Sequence, residues 1–193
     1  QSALREQRLL DLCEKLRQIV PDISDQYTQT IELEEYREFR ELKTRGMHAF
    51  QVQRILQTIA AIKHDNITIA DIGDSSGNHG AYIKALDTNN RIGRFLSVNL
   101  DPVAVKKVRS KGGEAIQCRA EELNVEGIKP DIVLLFEILE HLTDPIRFLH
   151  GLASDGNVDQ IIATVPYRRK SRFGGAYLHM PKHKMPDTFN AEN

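Results

Sequence analysis

TIADIGDSSGNHGAYI, residues 68–83, decides how this chain folds. An apolar run from Ile67 to Ile72 ends in a cluster of Gly, Asp, Ser and Asn, and a helix-like pattern follows. That order predicts a strand, a tight turn and a helix. Asp71 stands just before the turn. Gly73, Gly77 and Gly80 are placed to serve it, because a Cβ there would bar a ligand or forbid the backbone angles.

The same alternation continues outward from this stretch. GRFLSVNL, EAIQC, DIVLLFE and QIIATVP read as strands. PVAVKKVRSKG, stopping at Gly112-Gly113, and DPIRFLHGLA read as helices between them. Strands alternating with helices predict an α/β fold with a doubly wound, mainly parallel sheet, since crossovers between parallel strands are right-handed. In such sheets ligands bind beyond the carboxyl ends of the strands.

Upstream the texture is helical. Leu4, Leu9, Leu12, Leu16, Ile19 and Val20 recur at three- and four-residue steps, and Pro21 ends that helix. After the polar connector DISDQYTQT, residues 31–62 carry long helical segments, expected to break near Gly46. The chain thus divides into an N-terminal helical extension or cap, residues 1–64, and a ligand-binding domain, residues 65–193. The first residue is Gln and the last stretch, FNAEN, adds no element to the sheet, so the second domain is expected to be incomplete at its C-terminus.

Composition narrows the function. With 26 Lys and Arg against 27 Asp and Glu, the net charge is −1, which gives no bulk signal for nucleic acid. Cys13 and Cys118 are isolated, without a metal or disulfide spacing. No apolar run reaches membrane-spanning length and no signal peptide is evident. A cytoplasmic protein is the expectation; oligomeric state is not legible.

The turn reads Asp71-x-Gly73-x-Ser75-x-Gly77, which resembles the first motif of the class I S-adenosylmethionine-dependent methyltransferases, with Ser75 in place of the middle glycine. An acidic residue suits a cationic sulfonium cofactor, whereas a pyrophosphate would be repelled by Asp71 and Asp74. FLSVNLDP resembles the end of the family's second strand, with Asn99 where an acid usually holds the ribose hydroxyls and Asp101 two residues on. AIQCRAEEL resembles the third-strand motif; Arg119 stands where the adenine acceptor often lies, which moves that contact to Ala120 or Glu121. PDIVLLFEILEHLTDP is the most extended match, and the resemblance covers residues 67–166. It implies a Rossmann-like methyltransferase domain with S-adenosylmethionine as cofactor. Asp71, Gly73, Ser75 and Gly77 would cradle the methionine end, and Phe136 and Glu137 would line the cofactor side of the acceptor cleft.

Other residues are candidates for the acceptor side. His141 follows the fourth strand, and its imidazole suits a general base or an acceptor contact. Glu137, Glu140 and His141, with His179 and His183, have metal-ligand types, as in the metal-dependent RNA 2′-O-methyltransferases; the expectation here is no metal. Residues 167–184 hold Arg168, Arg169, Lys170, Arg172, Lys182 and Lys184 with no acid among them, and Tyr167, Phe173 and Tyr177 interleave. Arg168 and Arg172 are therefore candidates for binding a small-molecule acceptor, an anionic one. Arg45, His48, Phe50 and Gln51 are candidates from the helical extension. The alternative reading is a non-catalytic subunit of the same fold.

Overall fold

The computed structural model describes residues 2–26, 34–123, 125–154 and 158–166. In chain order the elements are helices α1 (Ser2–Glu6), α2 (Leu10–Ile19) and α3 (Glu34–Ala61), strand β1 (Ile67–Ile72), α4 (Asn78–Leu86), β2 (Ile92–Asn99), α5 (Pro102–Ser110), β3 (Glu114–Gln117), α6 (Val125–Ile128), β4 (Ile132–Phe136), α7 (Pro145–Ser154) and β5 (Gln160–Thr164). The five strands form one sheet in the order β3-β2-β1-β4-β5, parallel throughout. It is an α/β, Rossmann-like fold with N-terminal helices, as the alternation predicts.

β1 is central and buried, and successive side chains go to opposite faces. Ile67 and Ile69 meet Ile132 and Leu134 of β4 on one face, under Leu16 of α2, Val52 and Ile55 of α3, and Tyr82 and Ile83 of α4. Ala70, Ile72, Val133 and Leu135 face the other way, toward Phe148, Leu149 and Leu152 of α7 and Ile128 of α6. The helical extension therefore shares one core with the sheet.

Two helical expectations fail. α3 runs unbroken through Gly46, across which Leu4 of α1 packs. A helical glycine costs about 1 kcal/mol relative to alanine, a cost that burial of Val52, Ile55 and Ile59 on the same helix outweighs. The first helix does break: Arg8 adopts φ +56°, and α2 restarts at Leu10.

Candidate active site

The chain lays down β1, β2 and β3 toward one edge, then returns to place β4 on the far side of β1. The order reverses between β1 and β4, so their carboxyl ends flank the crevice where such sheets bind ligands. From β1 rises the turn 73–77, with φ +86° at Gly73 and +75° at Gly77. Both angles lie in the left-handed region that favours glycine. A Cβ on Gly73 would also collide with Ile138, meeting its Cγ1 at 2.7 Å. Gly80 does not belong to the turn. It lies within α4, where a Cβ would stand 3.1 Å from the Phe95 ring of β2, and its role is close helix-strand packing.

Asp74 folds the turn onto itself. Its Oδ1 accepts from the backbone N–H of Ser76 (3.1 Å) and Gly77 (2.8 Å), and its Oδ2 accepts from the Ser97 hydroxyl at 2.6 Å. Asn99, at the end of β2, donates from Nδ2 to the Asp74 carbonyl (2.9 Å) and accepts the Asp101 N–H on Oδ1 (2.8 Å). Asp101 in turn caps α5 by accepting from Val103 N–H. Asn99 thus ties the second strand to the turn, leaving one lone pair of Oδ1 for a further donor. Leu100, between Asn99 and Asp101, is 57% exposed and presents apolar surface beside the turn.

Asp71 points into the protein, on the face covered by α3 and α4. It is 1% exposed, and its Oδ2 lies 2.9 Å from His79 Nδ1; His79 Nε2 lies 3.1 Å from Gln51 Oε1. Oxygens on both sides favour the doubly protonated ring. Burial raises the Asp71 carboxyl to about pH 6, and the charge of His79 keeps it from rising further. Burial pulls His79 down, but the charge and hydrogen bond of Asp71, with Asp74 beyond, outweigh it and leave its pKa raised. His48 sits edge-on to His79 with ring centroids 5.2 Å apart. Burial, then the charges of His79 and Arg45, hold it well below the ordinary value, so it stays neutral, with Nδ1 3.3 Å from the Tyr82 hydroxyl.

Phe136 ends β4 with its ring 5.0 Å from that of His79, joining the buried network to the crevice. Glu137 follows at φ +56°, rare for a residue with a Cβ, and donates its N–H to Thr164 O of β5 at 3.0 Å. His141 ends a short 3-10 turn, Leu139–His141, with 60% of its side chain exposed and Glu140 4.0 Å away. Ala120 and Glu121 lie in a 3-10 turn beyond β3, Glu121 on the surface. Arg168 and Arg172, with the rest of 167–184, lie outside the described residues.

Among the described residues, Glu137, Glu140 and His141 do not gather their ligand atoms into a metal site. One triple does, Asp71, Asp74 and His79, with atoms within 4.8 Å of one another. Asp71 Oδ2, both Asp74 oxygens and both His79 nitrogens are already engaged in the hydrogen bonds above. Of the extension's candidates, Arg45 is fully buried and bonds Glu41 Oε1 and the carbonyls of Val20 and Pro21. His48 and Gln51 belong to the buried network, and Phe50 lies under the Arg54 guanidinium, 5.1 Å away. Sequence reasoning missed His79 and Gln26. A histidine eight residues after Asp71, on the inner face of the predicted helix, was the available signal for the first. Nothing in the local sequence marks the second.

Residues 71–154 match the family described as methyltransferase domain. No curated protein matches the chain. Among solved structures, the chain is similar to CalS10, an amino pentose methyltransferase from Micromonospora echinaspora solved with S-adenosylmethionine: 14% identity over 75% of this chain and 61% of that one, TM-score 0.54. A second similarity is to a SAM-dependent methyltransferase from Aquifex aeolicus, 13% identical over 72% of this chain and 64% of that one, TM-score 0.42. The chain spans only 44% to 64% of the length of the first solved structures it matches. None of its described helices is long and apolar enough to cross a membrane. Residues 71–154 thus match the methyltransferase-domain family, and the parallel sheet that carries them has the Rossmann-like fold shared with CalS10.

Proposed function

We propose that this chain binds S-adenosylmethionine across the carboxyl ends of β1 and β2 and directs its methyl group to an acceptor entering beside β4. The observation that carries the reading is the turn at the switch point, bent at Gly73 and Gly77 into angles that favour glycine. The residues present fit the cofactor. The turn 73–77 would take its methionine end. A ribose hydroxyl would donate to the open lone pair of Asn99 Oδ1, with Asp101 adjacent. Leu100 offers an apolar surface for the base, and Ala120 and Glu121 border the same end of the sheet.

The cofactor would supply an electrophilic methyl on a cationic sulfur. The chain's contribution is alignment and charge: Asp71 and Asp74 place two carboxylates under the turn against one imidazolium, His79. Glu137 and exposed His141 stand on the acceptor side, where His141 would take a proton from an attacking hydroxyl or amine. The basic sequence 168–184 supports a small anionic acceptor.

The test is thermal unfolding and calorimetry with S-adenosylmethionine, its demethylated product S-adenosylhomocysteine (SAH), NAD and NADP. A ligand at a hundred times its Kd stabilises by about 2.7 kcal/mol. Stabilisation by the first two alone is expected, and its loss in Gly73→Val, whose branched side chain meets Ile138. Response to the nicotinamide cofactors only, or SAH affinity unchanged in a folded Gly73→Val, overturns the reading.

A further inference from the structure

Gln26 bonds the glycine turn directly and Asp25 reaches it through Lys111, although both precede it by some fifty positions. Gln26 O accepts from the Ser75 hydroxyl. Gln26 Oε1 accepts from the Ser76 hydroxyl at 3.0 Å and from Asn78 Nδ2 at 2.8 Å. Asn78 Oδ1 faces Lys111 Nζ, 3.4 Å away. An ammonium only donates, so Asn78 turns its NH2 toward Gln26, and Gln26 must present its oxygen. Lys111 also bonds the Ser76 carbonyl at 2.8 Å and pairs with Asp25 Oδ2 at 2.7 Å, while Lys107 donates to the Asp25 carbonyl. At its upstream end the same stretch is fixed by Arg45, bonded to the carbonyls of Val20 and Pro21, and by Ile23, buried to 7% exposure.

We infer that Gln26 is a positioning residue of the cofactor turn: through two oxygens it holds Ser75, Ser76 and Asn78 in the conformation the cofactor meets. This rests on the proposed function for its ligand, and on the hydrogen bonds alone for its effect on the turn. The arrangement also gives Ser75 a purpose. Where a glycine would leave the middle of the turn without a handle, the serine hydroxyl anchors it to Gln26 in the upstream segment 23–26, here the strap. Because strap and turn share these bonds, cofactor binding and strap docking favour each other by the same factor.

Two variants of the full chain separate acceptor chemistry from bulk. Gln26→Met keeps the length and removes the side-chain acceptor; Gln26→Glu keeps an acceptor oxygen facing the same donors. Amide hydrogen exchange of residues 75–78 in the ligand-free protein is measured alongside SAH affinity. Gln26→Met is expected to speed exchange in the turn and to weaken SAH binding, each about tenfold, the scale of one or two lost hydrogen bonds. Gln26→Glu is expected to restore both. Unchanged turn exchange in Gln26→Met overturns the inference, as does a Glu variant no better than the Met variant, or parent-like SAH affinity in the Met variant. If the parent itself does not bind SAH, the proposed function falls and the exchange measurement alone decides the role of Gln26. Should Gln26→Met fail to fold, Ser75→Ala with Ser76→Ala takes its place, removing from the other side the two hydroxyl bonds to Gln26, one to its backbone oxygen and one to its side chain.

Discussion

Replacing Asp71 with asparagine should remove a pH dependence built into the core. In the folded protein Asp71 ionises near pH 6, against 3.8 for an ordinary carboxyl, because it is wholly buried. Between those values the native state holds a proton that the unfolded chain has released. Stability falls with rising pH wherever the native state binds more protons. At no more than ~1.4 kcal/mol per pH unit, and less close to either pKa, the parent should lose about 2 kcal/mol between pH 4 and pH 6 from this group. His79, also raised, pushes the same way above pH 6.5, its ordinary value, as the native state keeps a proton the unfolded chain gives up. Other carboxylates titrate in this range, so the assay is a difference: urea unfolding of parent and Asp71→Asn from pH 4 to pH 7. The parent's stability minus the variant's should decline steadily with pH. A flat or rising difference would refute the buried, proton-sharing pair.

Two further substitutions test how the site is held. Asn99→Asp, which restores the acid usual in the family, should cost about 1–2 kcal/mol in urea unfolding, because it sets a carboxylate against the Asp74 carbonyl and loses the donor. Arg91→Ala should cost about 2 kcal/mol: its guanidinium bonds the carbonyls of Ile59, Ile62 and His64 at 2.6–2.7 Å, closing the end of α3. Arg91→Lys, with a single donor point, should recover only part of that loss.

The sheet was legible because each strand is a short apolar run bounded by turn residues, a pattern that survives without any knowledge of partners. The left-handed angles at Gly73 and Gly77 were legible for the same local reason. What was hidden depends on distant residues. Gly46 reads as a break until Leu4 and the sheet supply the burial that keeps α3 continuous. Gly80 reads as a turn glycine until Phe95 of the neighbouring strand is seen against it. Asp71 and Asn99 matched their motif positions, yet their hydrogen bonds run to His79, Asp74 and Asp101, and the motif letters say nothing about those. The hold of Gln26 on the turn spans about fifty residues and leaves no periodic trace.

The shared core has a consequence for how the protein is made. Leu9, Leu16, Val52 and Ile55 are synthesised before β1 and well before β4, yet they are buried only when Ile69, Ile132 and Leu134 arrive. The helices leave the ribosome with apolar faces that must wait for some seventy more residues, and contacts of such long sequence separation slow folding. It follows that the segment 71–154, which carries the family match, is not a unit that can be excised. Cut at residue 64, the sheet would keep α4 but lose α2 and α3 from that face, and the uncovered parts of Ile67, Ile69, Ile132 and Leu134 would invite association with other chains.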